Sequence, residues 1–161
     1  MSTNDRRGDL SRAYEQAVTV VSGAKAEQLA SPTPCPGFDV AALVDHLVGV
    51  GWRAAALGRG EAPTHDEFPH IELANAAEEL RRSSKEAAAA WSDNARLAGT
   101  VIMPWGEAYV GTTLVNMYLA ELSAHSWTSP WPRARWRRST PPWPPPHSTV
   151  PGSSSTPTPA T

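Results

Sequence analysis

Glu121 and His125 stand four residues apart in Glu-Leu-Ser-Ala-His. On a helix, that spacing stacks the two side chains one turn apart on one face. A carboxylate and an imidazole so placed can share one metal ion, or simply join in a helical hydrogen bond or salt link. His46, in Leu-Val-Asp-His-Leu, is a third donor that a facing helix could bring to the pair. Two imidazoles and one carboxylate suit a divalent ion and leave positions open for water, as a catalytic metal requires. Each histidine taken alone also reads as a satisfied core or surface residue.

The elements that must position these donors follow from periodicity. Leu10, Tyr14, Ala17, Val18 and Val21 mark one face of a first helix over 10–29, with Gly23 as an interruption. Three prolines and a glycine make 31–37 a loop. Asp39 is the expected N-cap of a second helix, from Val40 to about Leu57, ended by Gly58 and Gly60. Its core stripe is Val40, Leu43, Leu47, Val50 and Ala54. His46 lies at the edge of that stripe. Asp45 points away and is a poor ligand candidate. A third, Ala-rich helix is expected over 71–91. Thr100–Met103 and Ala108–Val110 read as two short strands about the turn Pro104-Trp-Gly106, or as an extended loop. A fourth helix begins near Thr112 or Thr113 and reaches Trp127. On it Leu114, Tyr118, Glu121 and His125 share the face expected to meet the core, with Met117 beside them. A carboxylate in the middle of an apolar stripe needs a partner. The expected fold class is all-α: an antiparallel four-helix bundle, a short hairpin before helix four, and a disordered C-terminal tail.

Composition narrows the function classes. The chain has 161 residues, 40% of them hydrophobic and 19% charged, with a formal net charge of −2. Nothing in that balance calls for nucleic acid or an anionic membrane as partner. No uninterrupted apolar run approaches the roughly 18 residues of a spanning helix. The polar start, 1–10, lacks an apolar signal region, so a cytoplasmic protein is expected. Cys35 is the sole cysteine, which excludes an intrachain disulfide and an all-cysteine metal site. It sits between two prolines with no His or Arg beside it in the chain, and reads as inert. His65 and His70 in the polar loop, and His147 near the end, read as solvent-exposed.

The averages hide a break. Residues 1–127 hold ten of the 14 basic residues and all 16 acidic ones, a formal charge of −6. Residues 128–161 hold four arginines, no acid, ten of the 16 prolines, and Trp131, Trp136 and Trp143. Proline at this density forbids a helix. Tryptophan among prolines is unusual for a disordered tail, and fits GC-rich DNA read in a wrong frame. Moving the frame by one base after the Trp127 codon, with permitted codons, yields an Ala/Leu-rich helical continuation that starts with Asp. The expected division is therefore a helical bundle over 8–127 and a disordered tail over 128–161, which fits a frameshift product best, with a plain Pro/Ser/Thr tail or a ligand for a proline-binding domain through Pro141 to Pro146 as the alternatives.

Three segments together carry a family resemblance: Pro32-Thr-Pro-Cys-Pro-Gly-Phe-Asp-Val40, Leu43-Val-Asp-His-Leu47 and Glu121-Leu-Ser-Ala-His-Ser-Trp127. In order and spacing they resemble the DinB-like superfamily of metal-binding four-helix bundles. Within it, the likeness is to the mycothiol-dependent maleylpyruvate isomerase N-terminal type, common in actinobacteria. The Pro-Trp-Gly-Glu segment at 104–107 is similar to the family's turn before the last helix. The resemblance implies that His46, Glu121 and His125 are metal ligands, for zinc first and nickel or manganese otherwise. It also implies a low-molecular-weight thiol, mycothiol, and an electrophilic small molecule as partners. Phe38 stands where the family commonly has Trp, and Thr128 where it has Asp, the residue that the shifted frame restores. The family's isomerase has a further C-terminal domain for which this chain has no room. The functional expectation is a metal-dependent thiol S-transferase-like enzyme. The alternatives are a non-catalytic metal- or ligand-binding bundle and a frameshifted product without function.

Overall fold

The computed structural model describes residues 5–61, 70–103 and 106–127. The chain divides into Met1–Trp131 and Pro132–Thr161, and every described residue falls in the first unit. The tail with its frameshift reading, His65, His147 and the Pro104-Trp105 pair lie outside the described residues.

Among the described residues, four long helices make the bundle: α1 (Arg7–Ser22), α2 (Val40–Arg59), α3 (Leu73–Ala90) and α5 (Gly111–Trp127). A short α4 (Asn94–Ala98), absent from the sequence expectation, follows α3. Its signal was Asp93, whose side chain caps the Ala95 N–H at 2.8 Å. Gly23 ends α1 rather than interrupting it, and only a 3-10 turn, Ala26–Gln28, follows. Asp39 caps α2 as expected, accepting from the Ala42 N–H at 2.8 Å. Gly60 closes that helix at φ +85°, a left-handed conformation that favours glycine. The strand reading of the segment before the last helix holds. Thr100–Ile102 (β1) pairs antiparallel with Ala108–Val110 (β2), in the register Val101 opposite Tyr109.

The helices form a closed ring in the order α1, α3, α2, α5, with α1 and α2 across the diagonal. Their directions differ in part from the antiparallel expectation. The Ile71 N–H, just before α3, donates to Asp45 near the start of α2 at 2.8 Å. Trp52 meets Glu79 midway at 3.1 Å, and Arg59 meets Glu86 towards the far ends at 2.9 Å. So α2 and α3 run parallel. Arg7, at the start of α1, donates to the Trp91 and Ser92 carbonyls after α3, so α1 opposes α3. His46 near the start of α2 meets Glu121 and His125 late on α5, so those two helices are antiparallel. It follows that α1 and α5 are parallel. The physical reason is the connection over residues 60–72. Thirteen residues can span about 43 Å extended. The 18-residue α3 is only about 27 Å long. The chain can therefore return to the starting end before α3 begins, as long crossovers allow in bundles.

The core lies inside this ring. The stripe expected on α2 is buried at every position: Val40, Leu43, Leu47, Val50 and Ala54. From α1 it receives Leu10, Tyr14, Ala17 and Val21, and from α3 Ala76, Leu80 and Ala87. Glycine lets α2 approach its neighbours closely. A Cβ on Gly51 would stand 2.9 Å from Ser83 Oγ and 3.0 Å from the Tyr14 ring. The bare backbone there admits the Tyr14 hydroxyl, which donates to the Gly51 carbonyl at 2.7 Å. By length and apolarity alone α2 could cross a membrane, with a mean hydropathy of 1.4 over its best window. Its apolar residues are instead those that fill the bundle.

Candidate metal centre

The three expected donors converge. His46 projects from α2, and Glu121 and His125 project from successive turns of the facing α5. Glu121 Oε2 lies 3.4 Å from His46 Nε2 and 3.3 Å from His125 Nε2. One donor atom from each residue falls within 4.8 Å of the others. Donors held about 2.0–2.2 Å from one zinc ion at tetrahedral angles stand about 3.3–3.6 Å apart. The carboxylate-to-imidazole spacings are thus those of ligands around a single small cation, and the donor set is one that divalent zinc, nickel or manganese accepts.

The site sits at the seam between α2 and α5 rather than deep in the core. Glu121 was expected within the apolar stripe of the last helix, yet its side chain is 49% exposed. The residues of α5 that are buried are Gly111, Leu114, Val115, Leu122 and Ser126. The stripe is therefore rotated by one residue from Glu121 and His125. Met117, placed beside that stripe, is 40% exposed. This resolves the desolvation problem, since a half-exposed carboxylate keeps part of its hydration. His46 and His125 are more covered, at 13% and 21% side-chain exposure.

Electrostatics favour the ligand forms. The close approach of His46, 3.4 Å away, together with the His125 imidazole, holds the Glu121 carboxyl below its usual range, against partial burial that pushes it up. Burial, helped by His46, holds the His125 imidazole below its ordinary value, against Glu121 acting the other way. His125 is thus kept neutral, the form that binds metal. The consequence for the metal-free protein has a definite sign. Unfolded His125 takes up its proton near pH 6.5, while folded His125 holds out to lower pH. The unfolded chain binds more protons in that window, so stability falls as pH drops through 6.5 toward the folded value. The contribution from Glu121 persists further, and is lost only below the ordinary Glu value of 4.5. The urea midpoint of the metal-free protein is expected to fall between pH 7 and pH 5, less steeply in His125→Gln. An equal slope in parent and variant refutes the assignment.

Two residues near the site were not read as part of it. Cys35 was taken as inert for want of a neighbouring His. The structure supplies one from 90 positions away: Cys35 Sγ lies 3.5 Å from His125 Nδ1. The Phe38 ring packs 5.3 Å from the His46 ring and 6.3 Å, edge-on, from His125, between centroids. The 31–39 loop builds this wall by local bonds. Thr33 Oγ1 accepts from the Cys35 N–H at 3.1 Å and donates to the Phe38 carbonyl at 2.9 Å. The Phe38 N–H returns to the Cys35 carbonyl at 3.1 Å. The available signal was that Cys35, Phe38 and the site histidines all occur in the three quoted motifs. Asp45 is absent from the site, as expected. It accepts from the Ile71 N–H and lies 3.2 Å from His70 Nδ1, tying down the approach to α3. His70 is exposed, also as expected.

Comparison with known proteins agrees with this architecture. The model of the family described as mycothiol maleylpyruvate isomerase N-terminal domain matches residues 10–137. Among solved structures, the chain is similar to a histidine-to-alanine mutant of the mycothiol-dependent maleylpyruvate isomerase, with a TM-score of 0.60 and 12% identity. That likeness covers 80% of this chain and 61% of the isomerase chain, so the protein spans less than two thirds of it. Comparison with curated proteins returned no match.

Proposed function

Because the chain belongs to the mycothiol maleylpyruvate isomerase N-terminal domain family, we propose that it holds a divalent metal ion, zinc first, and works with a small thiol such as mycothiol. The ligands in this reading are His46, Glu121 and His125. The observation that carries it is the convergence of their three donor atoms within 4.8 Å, on two helices that the bundle fixes. A metal bound there supplies a Lewis acid that keeps a thiol as its thiolate, the nucleophilic form. The protein's part is positional and electrostatic. Two neutral imidazoles and one carboxylate leave a divalent ion with net charge +1, which favours an anionic sulfur. Phe38 walls off one side of the imidazole pair and limits water there. The partly exposed Glu121 marks the open side, where thiol and electrophile have access. The reaction class is transfer of thiol sulfur to an electrophilic small molecule.

The test is thiol-dependent consumption of a chromogenic aryl halide by zinc-loaded protein. Activity above background is expected with mycothiol. It should vanish in His125→Ala and after chelation, and return on adding zinc to the chelated parent. If His125→Ala keeps the parental rate, this function is overturned. Isomerisation itself is not assigned, because the chain spans 61% of the isomerase structure. A bundle that holds metal without catalysis is the second reading, favoured by metal uptake without turnover.

A further inference from the structure

We propose that Cys35 is a positioning residue for His125, holding the outer nitrogen of the ring so that the inner nitrogen faces the metal position. This inference rests on the metal reading above and extends it to a residue on a separate loop. The two ring nitrogens of His125 face different partners. Nε2 lies 3.3 Å from Glu121 Oε2, inside the donor cluster. Nδ1 lies 3.5 Å from Cys35 Sγ, within hydrogen-bond range for sulfur. An imidazole that gives its Nε2 lone pair to a cation must carry its proton on Nδ1, and Cys35 sulfur stands there to accept it. A metal-binding histidine generally needs such an outer partner, which fixes both tautomer and ring orientation.

The thiol has a property that a carboxylate in its place would lack. It is a weak donor as well as a weak acceptor. Before metal arrives, Nε2–H can donate to Glu121 while the thiol donates to Nδ1. Once Nε2 binds a cation, the proton sits on Nδ1 and the sulfur accepts. One side chain therefore serves both tautomers without moving. The loop makes the contact reproducible. Prolines 34 and 36 flank Cys35 and fix its backbone on either side. Thr33 ties the loop to itself through Cys35 and Phe38. Pro32 and Asp39 form a bridge at its base, directly before α2. The chain that delivers Cys35 to His125 is thus the chain that starts the helix carrying His46.

The experiment uses the full chain with Cys35→Ala and Cys35→Ser, and reads two quantities. The first is the imidazole 15N shifts of His125 in metal-free protein. The second is zinc affinity, by competition with a chromophoric chelator. Cys35→Ala should shift the His125 nitrogens and weaken zinc binding by about 10–100-fold, with thermal unfolding unchanged. Cys35→Ser, which can also donate and accept, should restore most of both. Parental His125 shifts in Cys35→Ala would overturn the proposal, as would equal losses of affinity in both variants. A sulfur-to-cobalt charge-transfer band in the cobalt-loaded parent would also overturn it, since sulfur would then be a direct ligand. If the parent takes up no zinc, the metal reading fails by itself. The nitrogen shifts still decide whether Cys35 sets the ring.

Discussion

Protein purified without a metal-binding tag is expected to carry close to one divalent ion per chain, and His46→Ala/His125→Ala close to none. A four-ligand structural zinc site is worth about 10–16 kcal/mol, or roughly 3 kcal/mol per ligand. Losing two of three protein ligands should then weaken binding on the order of ten-thousand-fold. What remains is Glu121, half exposed and hydrated. The bundle itself should survive, because neither histidine belongs to its buried apolar set. Helical content by circular dichroism checks that the loss is one of ligands and not of fold. Mass spectrometry of the protein after gel filtration gives the metal count. A parent that is empty and fails to take up added zinc, nickel or manganese rejects the metal centre. His46, Glu121 and His125 would then be a polar seam between α2 and α5, held by the contacts they make with one another.

The sequence carried the three converging donors further than it carried their surroundings, for physical reasons. His46, read at the edge of the apolar face of α2, meets Glu121 at the α2–α5 seam, because a residue at the edge of a buried face points to the seam with the next helix. On α5, Leu, Val, Met and Tyr occupy several sides, so periodicity does not select a face. The stripe chosen through Leu114, Tyr118 and Glu121 is one residue off the buried line through Leu114, Leu122 and Ser126. The true line places Glu121 and His125 beside the core, where their hydration is not lost entirely. The parallel run of α2 and α3 was hidden for another reason. Pattern shows where helices start and stop, but a thirteen-residue connection permits either direction. The meeting of Cys35 with His125 was least legible. It depends on a proline-rich loop folding back through Thr33, and no local pattern encodes a contact across 90 residues. The family match agrees with the quoted motifs, and it extends to residue 137, past the compositional break at Thr128.

Trp91→Ala should cost about 3–5 kcal/mol, as removal of a fully buried large side chain does. The indole is 1% exposed, at the end of α3. Its Nε1 donates to the Ala54 carbonyl on α2 at 2.9 Å. It also lies against Gly58, where an added Cβ would stand 3.0 Å from that nitrogen. The ring therefore fills the gap that two small α2 residues leave at one end of the parallel α2–α3 pair. Alanine would leave a void beside Ala54 and Gly58, which have too little side chain to collapse into it. The Arg7 guanidinium, which bonds to the Trp91 carbonyl at 3.2 Å, links the same point to α1. Loss of the indole should thus loosen the end of the bundle away from His46, Glu121 and His125. With total stability of about 5–15 kcal/mol for a domain, the midpoint of thermal unfolding should fall by roughly 10–20 °C. Trp91→Phe keeps most of the volume but not the donor, and should lose less than half as much. The two losses separate packing from hydrogen bonding. If Trp91→Ala melts with the parent, the α2–α3 packing described above is wrong. Metal content is the cross-check: a variant that melts early yet holds the ion at low temperature shows that the two ends of the bundle are energetically separate. That is the behaviour expected when the donors are fixed by the α2–α5 seam and the 31–39 loop, and not by the distant indole.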